Sequence, residues 1–253
     1  MIIPILSMRS ILPFAFAVLG LSSNPATALP PSEVSKNLET VIVFAPVDTK
    51  SSDSPKPLRF KVDGKFRTVY FAAFSPAAVR QIIDEKLVPQ KVAEAKKLKF
   101  APFSLSKFDS LVQPFLDKSD GNRVFYVPDP AQVSIAKKLL IDQGTEADVA
   151  KKISVSTPVI FCPNPAFSAT VNSGPLKDQT FVPCSTDHAT LVKFIENGKS
   201  KNKSLAKRDV KVVAIPIPNY TAALAKMSAS ETPIRILPNP ANINAINILK
   251  KSL

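Results

Sequence analysis

Glycine, histidine and tryptophan are scarce in this chain: 6 glycines, 1 histidine and no tryptophan among 253 residues. Each shortage removes a class of function. So few glycines give little means of bringing backbone amides close to a phosphate, and no Gly-rich phosphate loop, Walker pattern or nucleophile elbow occurs. A lone histidine, His188, cannot build a multi-histidine metal centre. His188 follows Cys184 by four residues, a spacing open to a thiol nucleophile with an imidazole base, but no motif places an orienting acid beside them. The inventory therefore reads as a non-enzyme, with no cofactor, no metal and no catalytic residue expected.

Acidic residues are also in the minority, 20 against 33 Lys and Arg, which gives a net charge of +13. The excess does not carry a nucleic-acid signature. Its densest cluster, Lys199, Lys201, Lys203, Lys207 and Arg208, holds no aromatic residue that would stack on bases. It reads as a solvated basic loop, or as a contact for an anionic membrane surface or an acidic protein face.

The abundant residue is proline, at 24 positions. The prolines do not form a linker. They sit after short apolar runs or one residue past a capping side chain, as in Ser75-Pro76, Asp129-Pro130 and Asn239-Pro240, where the first helical position tolerates them. With 45% hydrophobic and 21% charged residues, the chain is expected to fold around a large core.

At the N-terminus Arg9 precedes an apolar run from Ile11 to Leu21, and Ala26-Thr27-Ala28 supplies small residues for a peptidase. This order predicts a cleaved signal peptide over residues 1–28, with Met8 as an alternative start. The apolar run is well short of the roughly 20 residues that cross a bilayer. Residues 29–253 are then an exported domain.

That domain contains a repeat. Val41-Ile42-Val43-Phe44-Ala45-Pro46 reads against Pro158-Val159-Ile160-Phe161-Cys162-Pro163 at an offset of 117; Ser75-Pro76 with Val79, Ile82 and Ile83 reads against Asp187-His188 with Leu191, Phe194 and Ile195 at 112. Leu98-Lys99-Phe100 matches Val210-Lys211-Val212 at the same 112, and Val127-Pro128-Asp129-Pro130-Ala131 matches Leu237-Pro238-Asn239-Pro240-Ala241 at 110. Four matches in one order predict two copies of one unit, about residues 38–145 and 153–253.

Each copy alternates strand and helix patterns. Strands are predicted at Val41–Ala45, Phe66–Ala72, Leu98–Phe103 and Val124–Val127, with helices after Ser75, around Phe108 to Phe115, and from Asp129 to a stop at Gly144. The second copy repeats them at Pro158–Cys162, Gln179–Pro183, a helix from His188 to Asn197, Val210–Ile217, a helix after Asn219, Ile234–Leu237 and a helix from Pro240. The strands are apolar on consecutive residues, so both faces need cover. The expected fold is α/β: an internally duplicated mixed sheet with flanking helices, pseudo-twofold, forming one cooperative domain.

The start Leu29-Pro30 with Val34 and Leu38, the runs Val41-Ile42-Val43-Phe44 and Val69-Tyr70-Phe71, and above all Val124-Phe125-Tyr126-Val127-Pro128-Asp129-Pro130 with its echo Ile236-Leu237-Pro238-Asn239-Pro240, resemble the Tic22 family. That family comprises intermembrane-space components of the chloroplast import machinery and their cyanobacterial periplasmic relatives. The resemblance implies a chaperone-like role in which unfolded or precursor proteins bind hydrophobic grooves during protein transport or outer-membrane biogenesis. The short signal points to the cyanobacterial, periplasmic branch rather than the plastid intermembrane space, and the resemblance implies the outer-membrane barrel-assembly protein as a partner. The alternative is a structural adaptor that tethers a membrane translocation or assembly complex without holding clients.

Such binding needs exposed apolar side chains. Bulky candidates are Phe103, Phe108 and Phe115 in the first copy and Tyr220, Leu224 and Met227 in the second, though most apolar residues of this size belong to a core. Cys162 and Cys184 are the only cysteines. An oxidising compartment favours a bridge between them. A simple antiparallel hairpin would instead leave the two thiols at strand ends on opposite sides of the pair. Two buried free thiols are therefore expected, with a disulfide as the alternative.

Overall fold

Apolar runs ended by proline fold as strands, and the caps that follow them start helices. A computed structural model describes residues 29–48, 51–62, 64–89, 95–116, 122–170, 178–228 and 231–251; the expected signal segment 1–28 lies outside them. The first half runs through α1 (Pro31–Asn37), β1 (Ile42–Asp48), β2 (Ser51–Pro55), β3 (Leu58–Val62), β4 (Lys65–Ala73), α2 (Pro76–Gln81) continued by a π-helical segment Ile82–Leu87, β5 (Lys99–Ser104), α3 (Leu105–Leu116), β6 (Arg123–Val127) and α4 (Pro130–Asp142). The second runs through α5 (Ala147–Ser156), β7 (Val159–Asn164), β8 (Ala169–Thr170), β9 (Thr180–Ser185), α6 (His188–Lys201), α7 (Lys203–Ala206), β10 (Lys211–Pro216), α8 (Ile217–Leu224), β11 (Ile234–Leu237) and α9 (Pro240–Lys251).

Three strand pairings recur in the two halves. In the first, Phe44 pairs Ala73 and Ile42 pairs Ser104 antiparallel, while Ala72 pairs Tyr126 parallel. In the second, Phe161 pairs Ser185, Val159 pairs Pro216 and Cys184 pairs Ile236 in the same senses. Phe44 to Phe161 is a step of 117, Ala73 to Ser185 a step of 112 and Tyr126 to Ile236 a step of 110, the offsets already seen in the sequence.

The α/β class expected from the sequence is the one observed, with two sheets in place of the one mixed sheet expected. Among the described residues there are two sheets, of six and five strands. The parallel edge strands β6 and β11 do not pair with each other, because each meets a helix from the opposite half: α5 lies against β6 and α1 against β11. There the Thr40 hydroxyl donates to the Ile236 carbonyl at 2.8 Å, satisfying an edge group that would otherwise invite another strand. Neither α1 nor α5 was read from the sequence: α1 is short and largely polar, and α5 mixes small apolar residues with lysines and serines.

The consecutive apolar strands are covered on both faces, as their composition demands. Tyr70 and Ala72 of β4 turn with Val43, Ala45 and Val47 of β1 into a central cluster, while Val69, Phe71 and Ala73 turn the other way onto Ala78 and Ile82. In the second sheet Ile160, Cys162, Cys184, Ile215 and Ile236 join that same central cluster, and Val159, Phe161 and Ala214 face Leu191 and Ile195 of α6. The central cluster is thus shared by both sheets, with α3 and α8 packed into it through Phe108, Val112, Tyr220 and Leu224.

Capping follows the sequence closely. Ser75 accepts from the Ala78 N–H at 3.1 Å, Asp129 from Ala131 at 3.1 Å, Asp187 from Thr190 at 2.8 Å and Asn239 from Ala241 at 2.9 Å. Gly144 ends α4 at φ +90°, where the N–H groups of Thr145 and Gly144 return to the carbonyls of Leu140 and Ile141. The segment expected as a basic loop is instead largely helical. α6 continues through Lys199 and Lys201, and Asn202 caps α7, which holds Lys203. Lys199 and Lys201 fit in the last turn of α6 because cations at a helix C-terminus complement its dipole.

Candidate polypeptide-binding surface

α3 has its apolar residues at a spacing that makes one buried stripe: Leu105, Phe108 and Val112 are fully buried. Of the six bulky residues singled out in the sequence, five lie in the core. Phe103, Phe108, Tyr220, Leu224 and Met227 are each under 10% exposed, as is usual for residues of this size, and in this arrangement they form interior rather than surface. Phe115 is the exception at 48% exposed. It follows Pro114, which lacks the N–H that would continue the helical ladder in the last turn of α3.

Around Phe115 the central core reaches the surface. Its ring lies 5.8 Å from that of Tyr70 at a tilt of 41°. Leu111, Leu116 and Val124 are only partly buried against the same cluster. Deeper in, Tyr126 stacks edge-on to both Phe74 and Phe108, with ring centres 6.4 Å apart in each pair, and its hydroxyl donates to Asp109 at 2.7 Å. Burial pushes the Tyr126 phenol well above its ordinary value, and the neighbouring Asp109 charge and hydrogen bond act in the same sense. Burial likewise raises the Asp109 carboxyl, against the lowering effect of that hydrogen bond.

The thiol–imidazole pair open to Cys184 and His188 is not available, because Cys184 has no free thiol. Cys162 and Cys184 form a disulfide with Cα atoms 4.4 Å apart, so the expectation of two free thiols is corrected. The register explains it: Phe161 opposes Ser185, so one step on Cys162 faces Cys184, at a separation typical of a non-hydrogen-bonded antiparallel pair. Because β8 and residues 171–179 intervene between β7 and β9, the hairpin geometry assumed from the sequence does not apply. His188 lies edge-on to Phe161 at 5.4 Å, and burial lowers its pKa against the opposing influence of Asp187. Among the described residues no group of three His, Cys, Asp or Glu side chains could hold a metal. The cavity between Phe74, Gln132, Thr157 and Thr186 has a volume of only about 10 Å³, room for a single water.

No protein-family model matches this sequence, and no curated protein does. Solved structures do match. One is Tic22 of Anabaena, described as a protein-transport protein, at a TM-score of 0.62 and 15% identity, covering 87% of this chain and 97% of that one. Another is Tic22 from Plasmodium falciparum, at a TM-score of 0.61 and 16% identity, covering 87% and 98%. The chain has a Tic22-like fold. Coverage near completeness on both sides means that the likeness is to the whole Tic22 architecture and not to a common α/β fragment. The resemblance carried by the Val-Pro-Asp-Pro and Leu-Pro-Asn-Pro segments therefore holds at the level of fold.

Sequence reasoning missed other exposed apolar residues, chiefly Phe66 at 65%, Val155 at 57% and Ile248 at 67%. Phe66 had a readable signal, since it follows the Asp63-Gly64 turn pair among basic residues. The helical positions Val155 and Ile248 had none.

Proposed function

We propose that this protein is an exported, chaperone-like protein that binds precursor polypeptides during protein transport or outer-membrane biogenesis, in the periplasm or the equivalent intermembrane space. The observation that carries the reading is Phe115, a bulky aromatic left half exposed beside Tyr70 of the central cluster. Clients without a fixed sequence share only their apolar side chains, and an open apolar margin is the surface that recognises them. The protein-transport description of the Anabaena structure supports the same reading. Among the described residues no helix is long and apolar enough to cross a membrane.

Binding of an unfolded outer-membrane precursor by residues 29–253 at low and high ionic strength tests it. Apolar capture persists as the Debye length shrinks from roughly 10 Å toward 3 Å. Phe115→Ser weakens binding about tenfold, since burying part of a Phe side chain contributes on the order of 1.4 kcal/mol. Neutralising Lys199, Lys201 and Lys203 leaves it unchanged. Absence of binding by the wild-type chain would favour the adaptor reading, and binding that collapses with salt would replace the apolar surface with an electrostatic tether.

A further inference from the structure

The hairpin of β3 and β4 carries chemistry that polypeptide capture leaves unused. Its register pairs Arg59 with Thr68 and Lys61 with Phe66, so the alternation of a strand puts these four side chains on one face. All four are exposed. The Arg59 guanidinium sits over the Phe66 ring, 5.3 Å from its centre. The opposite face is anchored: Leu58, Val62 and Val69 are buried in the outer core of the first sheet. The arm is therefore fixed, and its outer face presents an aromatic ring among cations.

Charged residues along an edge strand are a common guard against pairing with another chain. A guard needs no exposed aromatic, and an exposed Phe works against it. The pattern of one apolar ring flanked by Lys and Arg matches a membrane-surface contact, in which the ring enters the boundary between headgroups and acyl chains while the cations meet lipid phosphates. A ring on one strand and cations on the other spread the contact over two strands, which suits a broad anionic surface. The overall charge of +13 adds long-range attraction to the same surface. The lysines of α6 and α7 lack such an anchor: Lys201, Lys203, Lys207 and Arg208 are exposed with no aromatic among them.

We propose that the β3–β4 hairpin docks the protein on an anionic lipid surface, with Phe66 as the apolar anchor and Arg59 and Lys61 as the headgroup contacts. This inference is independent of the polypeptide-binding reading, which rests on Phe115.

The absence of tryptophan supplies the test. In residues 29–253, which contain every described element, Phe66→Trp installs a sole tryptophan at the proposed anchor. With vesicles containing phosphatidylglycerol its emission shifts to the blue and is quenched by brominated lipid, and with phosphatidylcholine alone neither occurs. Each basic residue near an anionic surface contributes about fivefold to partitioning, so Arg59→Ala and Lys61→Ala together lower the wild-type partition coefficient about twenty-five-fold. The matched set Lys201→Ala and Lys203→Ala changes it by less than fivefold. Circular dichroism confirms that each variant is folded. The proposal is overturned if the tryptophan emission is unmoved by anionic vesicles, or if the α6–α7 set removes binding and the hairpin set does not. It is equally overturned if a polyglutamate peptide shifts the emission and vesicles do not, which would assign the hairpin to an acidic protein.

Discussion

Gln132, on the last helix of the first half, donates to Asp187 at 2.8 Å across to the second half and accepts from the His188 N–H at 3.1 Å. Asn242 stands 110 residues further on, in the last helix of the second half, and donates back to the carbonyls of Phe74 at 3.1 Å and Ile42 at 3.4 Å. Each half thus lends its closing helix to the other. A half that unfolds removes a covering helix from its neighbour, so one cooperative transition is expected. Gln132→Ala and Asn242→Ala should each lower stability by about 1–2 kcal/mol, because each leaves backbone or carboxylate groups without their partner. Urea unfolding followed by near- and far-ultraviolet circular dichroism checks this: the two probes should coincide, and separate transitions would show that the halves stand alone.

The two strand-to-helix turns are built alike, with Asp129 and Asn239 each accepting from the second helical N–H. Alanine at either position should cost about 1 kcal/mol. Gly144→Ala should cost a similar amount for a different reason: an added Cβ at Gly144 meets nothing within 4 Å, so the penalty is only that of holding a side chain at φ +90°. In a domain of this size each loss lowers the melting temperature by about 2–4 °C. Calorimetry of the three variants separates the effects, and an unchanged Gly144→Ala would contradict the left-handed stop.

How much of this was legible follows from where the signals lie. Strands such as Val41–Ala45 and caps such as Ser75 and Asp129 were readable because β-branched runs and capping side chains act locally. The repeat offsets even carried the register between strands, since Phe44–Ala73 and Phe161–Ser185 are the same pair. The division into two sheets was not readable, because it depends on α1 and α5 reaching β11 and β6 from the other half, a long-range contact that no local pattern encodes. The candidate surface was readable only in part. Phe108 and Phe115 lie seven residues apart on the same helix, and only packing against Tyr126 and Tyr70 decides that the first is interior and the second is rim.

His188 makes stability depend on pH. Burial lowers its pKa in the fold, so between the lowered value and the ordinary value of about 6.5 the unfolded chain binds a proton that the native chain does not. Stability attributable to this group is present above the ordinary value and is lost as the pH falls through that window. Replacement by Gln should flatten the dependence there. As the chain has one histidine, its imidazole proton signals are unambiguous in a nuclear magnetic resonance titration, and a midpoint above 6.5 would reverse the sign.

The disulfide closes a loop of 22 residues in the second half, and its removal by alanine at both positions should cost about 3 kcal/mol through the entropy released to the unfolded chain. Thiol titration of the unfolded, unreduced protein should find none, and two after reduction. The corresponding pair in the first half is Ala45 and Ala72, reached by the same steps of 117 and 112. They stand opposite each other, one step along from Phe44–Ala73, and both are fully buried in the central cluster. If the register is truly common to the halves, Ala45→Cys with Ala72→Cys should oxidise to a second bridge. Two sulfurs in place of hydrogen on buried methyl groups crowd the core, at a cost of about 1–3 kcal/mol that largely offsets the gain from closing the loop. The net change in unfolding midpoint should therefore be small, and the decisive measurement is the thiol count. Four cysteines with no free thiol under oxidising conditions bear out the common register, whereas two persistent thiols would mean that Ala45 and Ala72 do not face each other as Cys162 and Cys184 do.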